Sequence, residues 1–332
     1  MTDPQPQPVL APLSDSALFL TLVIEDGGED SVRDVLAELS ALTRSVGFRS
    51  PDEALSCVLG VGSEAWDRLF DGPRPAQLHP LPEFAGTVHA AVSTPGDLHL
   101  HLRARRQHPC FELAKLVMSR LGGAARVVDE VPGFRYFDRR DLLGFVDGTE
   151  NPTGTGAAEA ALINDPDDPF HGGSYVIVQK YLHDMDAWQA LTVEQQQLVI
   201  GRTKLEDVEM DDAPANSHIV VNQLVEPDGT ELEILRENMP FGSIGAGEFG
   251  TYFIGYAASP AVTERMLHRM FIGEPEGNYD RILDVSTAHT GALFFVPSQD
   301  FLDDLPSKPG EVGAAVELVP PARTDLGIGG LR

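Results

Sequence analysis

Two stretches of the chain carry the same order of hydrophobic periods, and few architectures accept that order twice. ALFLTLVIE (residues 17–25) is an apolar run of strand length, and SVRDVLAELSALTRSVGF then sets Val32, Val35, Leu36, Leu39 and Leu42 at helical spacing. CVLGVG reads as a second strand. DLHLHLRA alternates Leu98, Leu100 and Leu102 with His99, His101 and Arg103, as a half-buried strand does. ELAKLVMSRL is helical and ARVVDEVPGF extended, which completes strand, helix, strand, strand, helix, strand, the ferredoxin-like order. The order returns with one strand too many. SYVIVQKYL, HIVVN, ELEILREN, TYFIGYA and ALFFVP read as strands, and LTVEQQQLVIGRT and AVTERMLHRMF as helices. The expected fold is therefore α+β: two ferredoxin-like modules, residues 17–140 and 141–304, with antiparallel sheets and packed helices. A Pro-rich flexible arm (1–16) precedes them and a flexible segment (305–332) follows.

With 332 residues, 42% of them hydrophobic, the chain can bury a substantial core. Its 24 basic against 51 acidic residues, a net charge of −27, argue against nucleic acid and anionic membranes and favour neutral or cationic partners. No apolar stretch approaches the length that spans a bilayer. The opening MTDPQPQPVLAPLSDSA has neither a basic n-region nor an apolar h-region, so a cytoplasmic location is expected. Cys57 and Cys110 lack metal or redox spacing and read as small core residues.

GFVDGTENP (144–152) is where chemistry concentrates. Asp147-Gly148 suits a chain reversal, since Gly tolerates positive φ and Asp bonds its own backbone, and a plain surface turn is one reading. The apolar trio before it supports another, in which Asp147 projects from a buried wall as a candidate acid or base. The string resembles the GxxDG signature of the dye-decolourising peroxidases, haem enzymes in which this Asp faces the peroxide side of the iron. The resemblance spans roughly residues 15–305 and implies two ferredoxin-like halves of the dimeric α/β-barrel-like superfamily, with haem b held mainly by the second. The short intervening segments resemble the compact B-type.

Other assignments follow from that resemblance. His218 in ANSHIVVN, by itself readable as a hydrogen-bonded structural histidine, becomes the axial ligand of haem iron, for which a neutral imidazole is suited. In ELEILREN a continuous strand would put Leu232, Ile234, Arg236 and Asn238 on one face. An edge strand with a solvated Arg is the plain alternative; the resemblance puts Arg236 and Asn238 on the peroxide side with Asp147. Arg236 offers a permanently charged donor fork, Asp147 a proton acceptor, Asn238 a hydrogen bond to order water or peroxide. Gly148, Thr149 and Glu150 would border the cofactor. YDRILDVSTAHTG offers Asp280 and Asp284 as the carboxylate behind the ligand histidine, and Asp284 matches the family pattern better. Arg202 and Lys204 could meet haem propionates or simply end a basic helix. Glu150, Asp207 and Glu231 match acidic positions that some B-type members gather for manganese, although a chain this acidic also places carboxylates together by coincidence.

The implied activity is reduction of hydrogen peroxide with oxidation of dyes, phenolic compounds or Mn(II); a haem-binding or iron-handling protein with little turnover is the alternative. Bulky donors that cannot reach haem would need oxidisable surface residues, and these are few: Trp66, Trp188 and six Tyr, with each Trp readable as core packing. After Phe301 the chain turns Pro, Gly and Ala rich and ends in DLGIGGLR. That ending resembles the cargo peptides by which certain B-type peroxidases enter encapsulin nanocompartments, so residues 325–332 are expected to bind an encapsulin shell protein. Self-association into a homo-oligomer is expected as well.

Overall fold

A computed structural model of the protein describes residues 4–310. Ten strands form one sheet: β1 Ser16–Ile24, β2 Ser56–Gly62, β3 Leu98–Ala104, β4 Ala125–Phe134, β5 Ser174–His183, β6 Leu235–Arg236, β7 Met239–Ser243, β8 Glu248–Ala257, β9 Ser286–Ala288 and β10 Ala292–Val296. Their order is β6-β8-β5-β10-β2-β3-β1-β4, with β7 also on β8 and β9 on β5, and every pairing is antiparallel. Each half supplies its own four-stranded core, and Phe294↔Gly62 with Phe295↔Val61 stitches the two into one sheet. The α+β character and the ferredoxin-like order of the halves stand as expected. The surplus strand of the second half is HIVVN, which is helical.

The sheet curls so far that Phe19 of β1 stacks on Tyr252 of β8, ring centres 4.2 Å apart, although the two strands are not neighbours. At Gly133 a Cβ would come within 2.8 Å of Met239 Cβ, so only glycine lets β4 approach β7 this closely. Curling buries the inner face as well as the outer one. DLHLHLRA is consequently not half-buried: Leu98, Leu100 and Leu102 face the helices, and His99, His101 and Arg103 turn into the curl, all seven strand residues being buried. Burial pushes the His99 imidazole down to about 3 and that of His101 well below its usual range, so both stay neutral.

Helices cover the outer face unequally. Over the first half lie α1 (Glu29–Gly47) and α3 (Gln107–Leu121); α2 (Ser63–Leu69) packs on β2 and β10, where the halves join. α1 buries Val32, Val35, Leu36, Leu39, Leu42 and Val46, a continuous apolar stripe, and opens with Glu29 and Asp30 against its positive end. The second half has only short helices before α8 (Pro260–Phe271): α4 (Thr155–Ala161), α5 (Met185–Ala190), α6 (Val193–Ile200) and α7 (His218–Asn222). A last helix, α9 (Gln299–Asp303), packs under α1.

Several expectations need correction. The arm is not loose from residue 4 onward: Gln7 donates to the carbonyls of Leu59 and Pro297, both at 2.9 Å, and Val9 is buried. The segment after 304 also begins docked, since Arg33 donates to Pro306 O at 2.6 Å and Asp71 N to Ser307 O at 2.8 Å. HIVVN is helical, because Ser217 starts a turn whose Val221 N–H reaches back to Ser217 O, and local bonding overrides β-branched composition. ELEILREN is broken in two: residues 231–232 pair with 224–225, whereas 235–236 pair with β8. Residues 325–332 lie outside the described part. Among the described residues, no helix is long and apolar enough to cross a membrane.

Candidate active site

The thinly covered outer face of the second half holds a cavity of about 360 Å³. β5 contributes Gln179, Tyr181 and His183, β8 Thr251 and Phe253, and α8 Met266, Leu267 and Met270. The loop carrying GFVDGTENP, the segment 231–238 and α7 close the remaining sides.

On one wall stands His218, the first residue of α7. Its Nδ1 donates to Asp280 Oδ2 at 2.7 Å, and Asn222 Nδ2, one turn along the helix, donates to the same oxygen at 3.3 Å and to His218 O at 2.8 Å. Asp280 is wholly buried and also caps its own turn by accepting from Ile282 N at 3.0 Å. Burial works against the imidazolium, but the charge and hydrogen bond of Asp280 outweigh it and raise the His218 pKa. With Nδ1 committed, Nε2 is the nitrogen left for the cavity. The carboxylate behind His218 is therefore Asp280 and not Asp284. Asp284 instead accepts from Tyr279 Oη at 3.0 Å and lies 3.3 Å from His89 Nε2, because the intervening turn points its side chain outward.

On the other wall, Gly144 and Gly148 adopt positive φ (91° and 83°), which turns the loop back and lets Asp147 N donate to Arg139 O at 3.0 Å. Asp147 thus points inward. Asn238 Nδ2 approaches Asp147 Oδ1 at 3.5 Å, while Asn238 Oδ1 accepts from Ile254 N at 3.2 Å. Arg236 is fixed through its backbone, since Asn151 accepts from Arg236 N at 2.9 Å and donates to Arg236 O at 2.6 Å. Its guanidinium is nearly unspent, with one 3.4 Å bond to Glu150 O. Burial pushes the Asp147 carboxyl up, against the pull of Arg236, and pushes the Arg236 pKa down. A second carboxyl on this wall, Asp141, is pushed up to about 7 by burial, although it accepts from Phe145 N at 2.9 Å.

The structure thus brings Asp147, Arg236, Asn238 and His218 around one cavity, with Gly148, Thr149, Glu150, Arg202 and Glu231 also lining it. Arg202 is engaged by Glu150, by Asp207 at 3.0 Å and by Glu209 at 3.3 Å. Lys204 turns away from the expected propionate role, donating to Gln196 Oε1 at 2.6 Å beneath the rings of Phe145 and Trp188. Glu150 and Asp207 meet only through Arg202, and among the described residues no group of three or more His, Cys, Asp or Glu is arranged to hold a metal ion. Sequence reasoning missed Asn151, Asn222, Asp141 and Glu237. Asn151 was the most legible, standing inside GFVDGTENP. Glu237 was the least, because its partner Arg103 lies in the other half; the two are buried and ion-paired at the position between Arg236 and Asn238.

This donor set fits a porphyrin iron. One imidazole offers a single nitrogen, its other nitrogen is locked by a carboxylate, and apolar side chains of Phe253, Met266, Leu267 and Met270 form the surrounding walls. The opposite wall collects an acid, a guanidinium and an amide.

Two family models match the chain, Dyp-type peroxidase, N-terminal over residues 6–135 and Dyp-type peroxidase, C-terminal over residues 138–301. The protein belongs to the Dyp-type peroxidases and is an enzyme of that class. Its sequence is 58% identical over 330 residues to a dye-decolorizing peroxidase of Rhodococcus erythropolis, covering 98% of this chain and 97% of the relative. Among solved structures, the encapsulated DyP-type peroxidase from Mycobacterium smegmatis superposes with a TM-score of 0.91 at 59% identity, over 92% of this chain and 100% of that one. DypB from Rhodococcus jostii RHA1 gives 0.88 at 59% identity, over 90% and 97%. Variants of the latter are known in complex with heme and with manganese.

Proposed function

We propose that the cavity would hold haem b through His218 Nε2, and that Asp147, Arg236 and Asn238, which line the same cavity, would act on peroxide. The observation that carries this reading is the buried Asp280–His218 hydrogen bond, which leaves one imidazole nitrogen directed at a space walled by an acid and a guanidinium. Bound haem supplies the redox iron at which peroxide is reduced.

The chain's own groups then divide the work. Asp147, as carboxylate, would take a proton from bound peroxide and return it to the outer oxygen as the O–O bond breaks. Arg236, with donors unspent, stabilises charge developing on that outer oxygen. Asn238 is held by Ile254 N, so its amide can orient the peroxide alongside Asp147. Phenols or dyes, or else Mn(II), are the reductants. Glu150, Asp207 and Glu209 are tied to Arg202, so Mn(II) would be a passing substrate that must displace that guanidinium from them.

The test is reconstitution with hemin. The loaded protein should show a Soret band and an axial-imidazole signature, and should consume one equivalent of peroxide rapidly; a colourless protein overturns the reading. Packaging in an encapsulin shell through residues 325–332 belongs to the same proposal. The DLGIGGLR ending and the likeness to an encapsulated relative support it. Deleting 325–332 should abolish loading into a co-expressed shell and spare activity, and continued loading would refute it. Sedimentation of the pure chain tests the expected self-association.

A further inference from the structure

Arg236 and Asn238 both line the cavity, and the residue between them points the other way. The register on β8 runs unbroken from Arg236↔Gly255 to Met239↔Tyr252, with Glu237 N donating to Ile254 O at 3.0 Å, so side chains alternate through this stretch. Glu237 therefore turns its carboxylate into the curl. There Arg103 of β3 donates through Nη1 to both of its oxygens, and both side chains are buried. The guanidinium is held in turn by the amino-terminal arm, since its Nη2 donates to Pro8 O. Pro8 is fixed because Gln7, beside it, donates to Leu59 O and Pro297 O at 2.9 Å and accepts from Leu59 N at 2.8 Å.

A buried ion pair is a poor device for stability alone. Desolvating two charges consumes much of what their attraction returns, and apolar side chains of similar volume often hold a fold as well or better. What this pair adds is geometry: a guanidinium committed to a carboxylate and to a backbone carbonyl has few orientations left. That geometry matters on the far side of the strand. Arg236 has one 3.4 Å bond to Glu150 O, and Asn238 Nδ2 stands 3.5 Å from Asp147 Oδ1, so contacts within the cavity fix neither side chain firmly. Asn151 holds the backbone of Arg236 from the loop side. From the sheet side the anchor is Glu237, whose N–H bonds the same Ile254 that donates to Asn238 Oδ1.

We propose, on the reading that haem binds at His218 and peroxide reacts in this cavity, that Glu237 and Arg103 are positioning residues for Arg236 and Asn238. The ion pair in the curl, locked by the amino-terminal arm, sets where the donors of the cavity stand. Residues 7 and 8, on the opposite face of the sheet, thereby act on the reaction through three intervening side chains and one strand.

The experiment uses the full-length, hemin-loaded protein and three variants. Glu237→Gln keeps shape and removes one charge, Arg103→Met combined with Glu237→Leu removes both and leaves no unpaired ion inside, and Gln7→Ala loosens the arm. Glu237→Gln and the double variant should retain haem yet react with peroxide about tenfold to a hundredfold more slowly. Cyanide, which at the haem would meet the same donors, should bind them more weakly by a similar factor. Hydrogen exchange across residues 232–240 should quicken in both while that of α1 is unchanged. Gln7→Ala should move every readout the same way by a smaller factor. A double variant that holds haem with wild-type peroxide rate and cyanide affinity overturns the proposal, whatever its melting temperature. So does a loss of rate matched by an equally destabilised Leu36→Ala protein, which would make the pair merely structural. A wild-type protein that binds no haem overturns the underlying reading instead.

Discussion

The two halves build the same kind of sheet and then treat its outer face in opposite ways. In the first, α1 and α3 lie across the strands, and leucines and valines from helix and sheet fill the space between them. In the second, the helix that should answer α1 is reduced to the short α5 and α6, and only α8 lies across β5 and β8. The area left over is the cavity, bordered by loops and by the five-residue α7. An uncovered sheet face costs apolar burial, and it also frees polar side chains that a packed helix would have had to exclude. The first half stabilises; the second leaves room for chemistry.

If that division is right, substitutions in the halves should have separable effects. The largest is expected for His218→Ala, which removes the nitrogen facing the cavity; the protein should lose haem or its axial-imidazole signal, and with it turnover, while its circular dichroism is preserved. An unchanged haem spectrum would take away the ligand assignment. Arg236→Leu and Asp147→Asn should each slow the reaction with peroxide by roughly 10²–10³-fold with haem retained, and stopped-flow rates for the two rank the guanidinium against the carboxylate.

Asp147 adds a pH signature. Its carboxyl is raised by burial, so it remains protonated at pH values where an ordinary Asp, near 3.8, is ionised. The working form is the base, so the rate should fall as pH drops through this raised pKa, and Asp147→Asn should flatten that limb. A limb that survives the substitution belongs to another group. Asp280→Asn keeps shape but loses the carboxylate charge behind His218. A loss of about tenfold to a hundredfold in activity or haem affinity is expected, measured by hemin titration.

The smallest effect on chemistry should come from the first half. Leu36→Ala, under α1, should cost about 2–5 kcal/mol of stability in a denaturant melt yet leave the rate per bound haem unchanged. A large drop in that rate would mean the halves are more tightly coupled than their packing implies. The buried Arg103–Glu237 pair, which crosses from β3 to the residue between Arg236 and Asn238, is where such coupling would run.

Local periodicity determined much of this on its own. The spacing of Val32, Leu36 and Leu39 specifies a helix face, the alternation in residues 98–102 a strand, and Asp147-Gly148 a turn with an apolar approach, because each depends on neighbours a few residues away. Resemblance extended that reading to His218, Arg236 and Asn238. Three things were decided only by the tertiary structure. The burial of His99, His101 and Arg103 required the sheet to curl. The short helix at residues 218–222 required a turn that β-branched residues do not announce. The choice of Asp280 over Asp284 depended on which way a single turn directs two side chains four residues apart, one into the cavity wall and one toward His89 and the surface. Composition and spacing say which groups a chain owns; which of them share one space is settled by long-range packing, for which no local pattern exists.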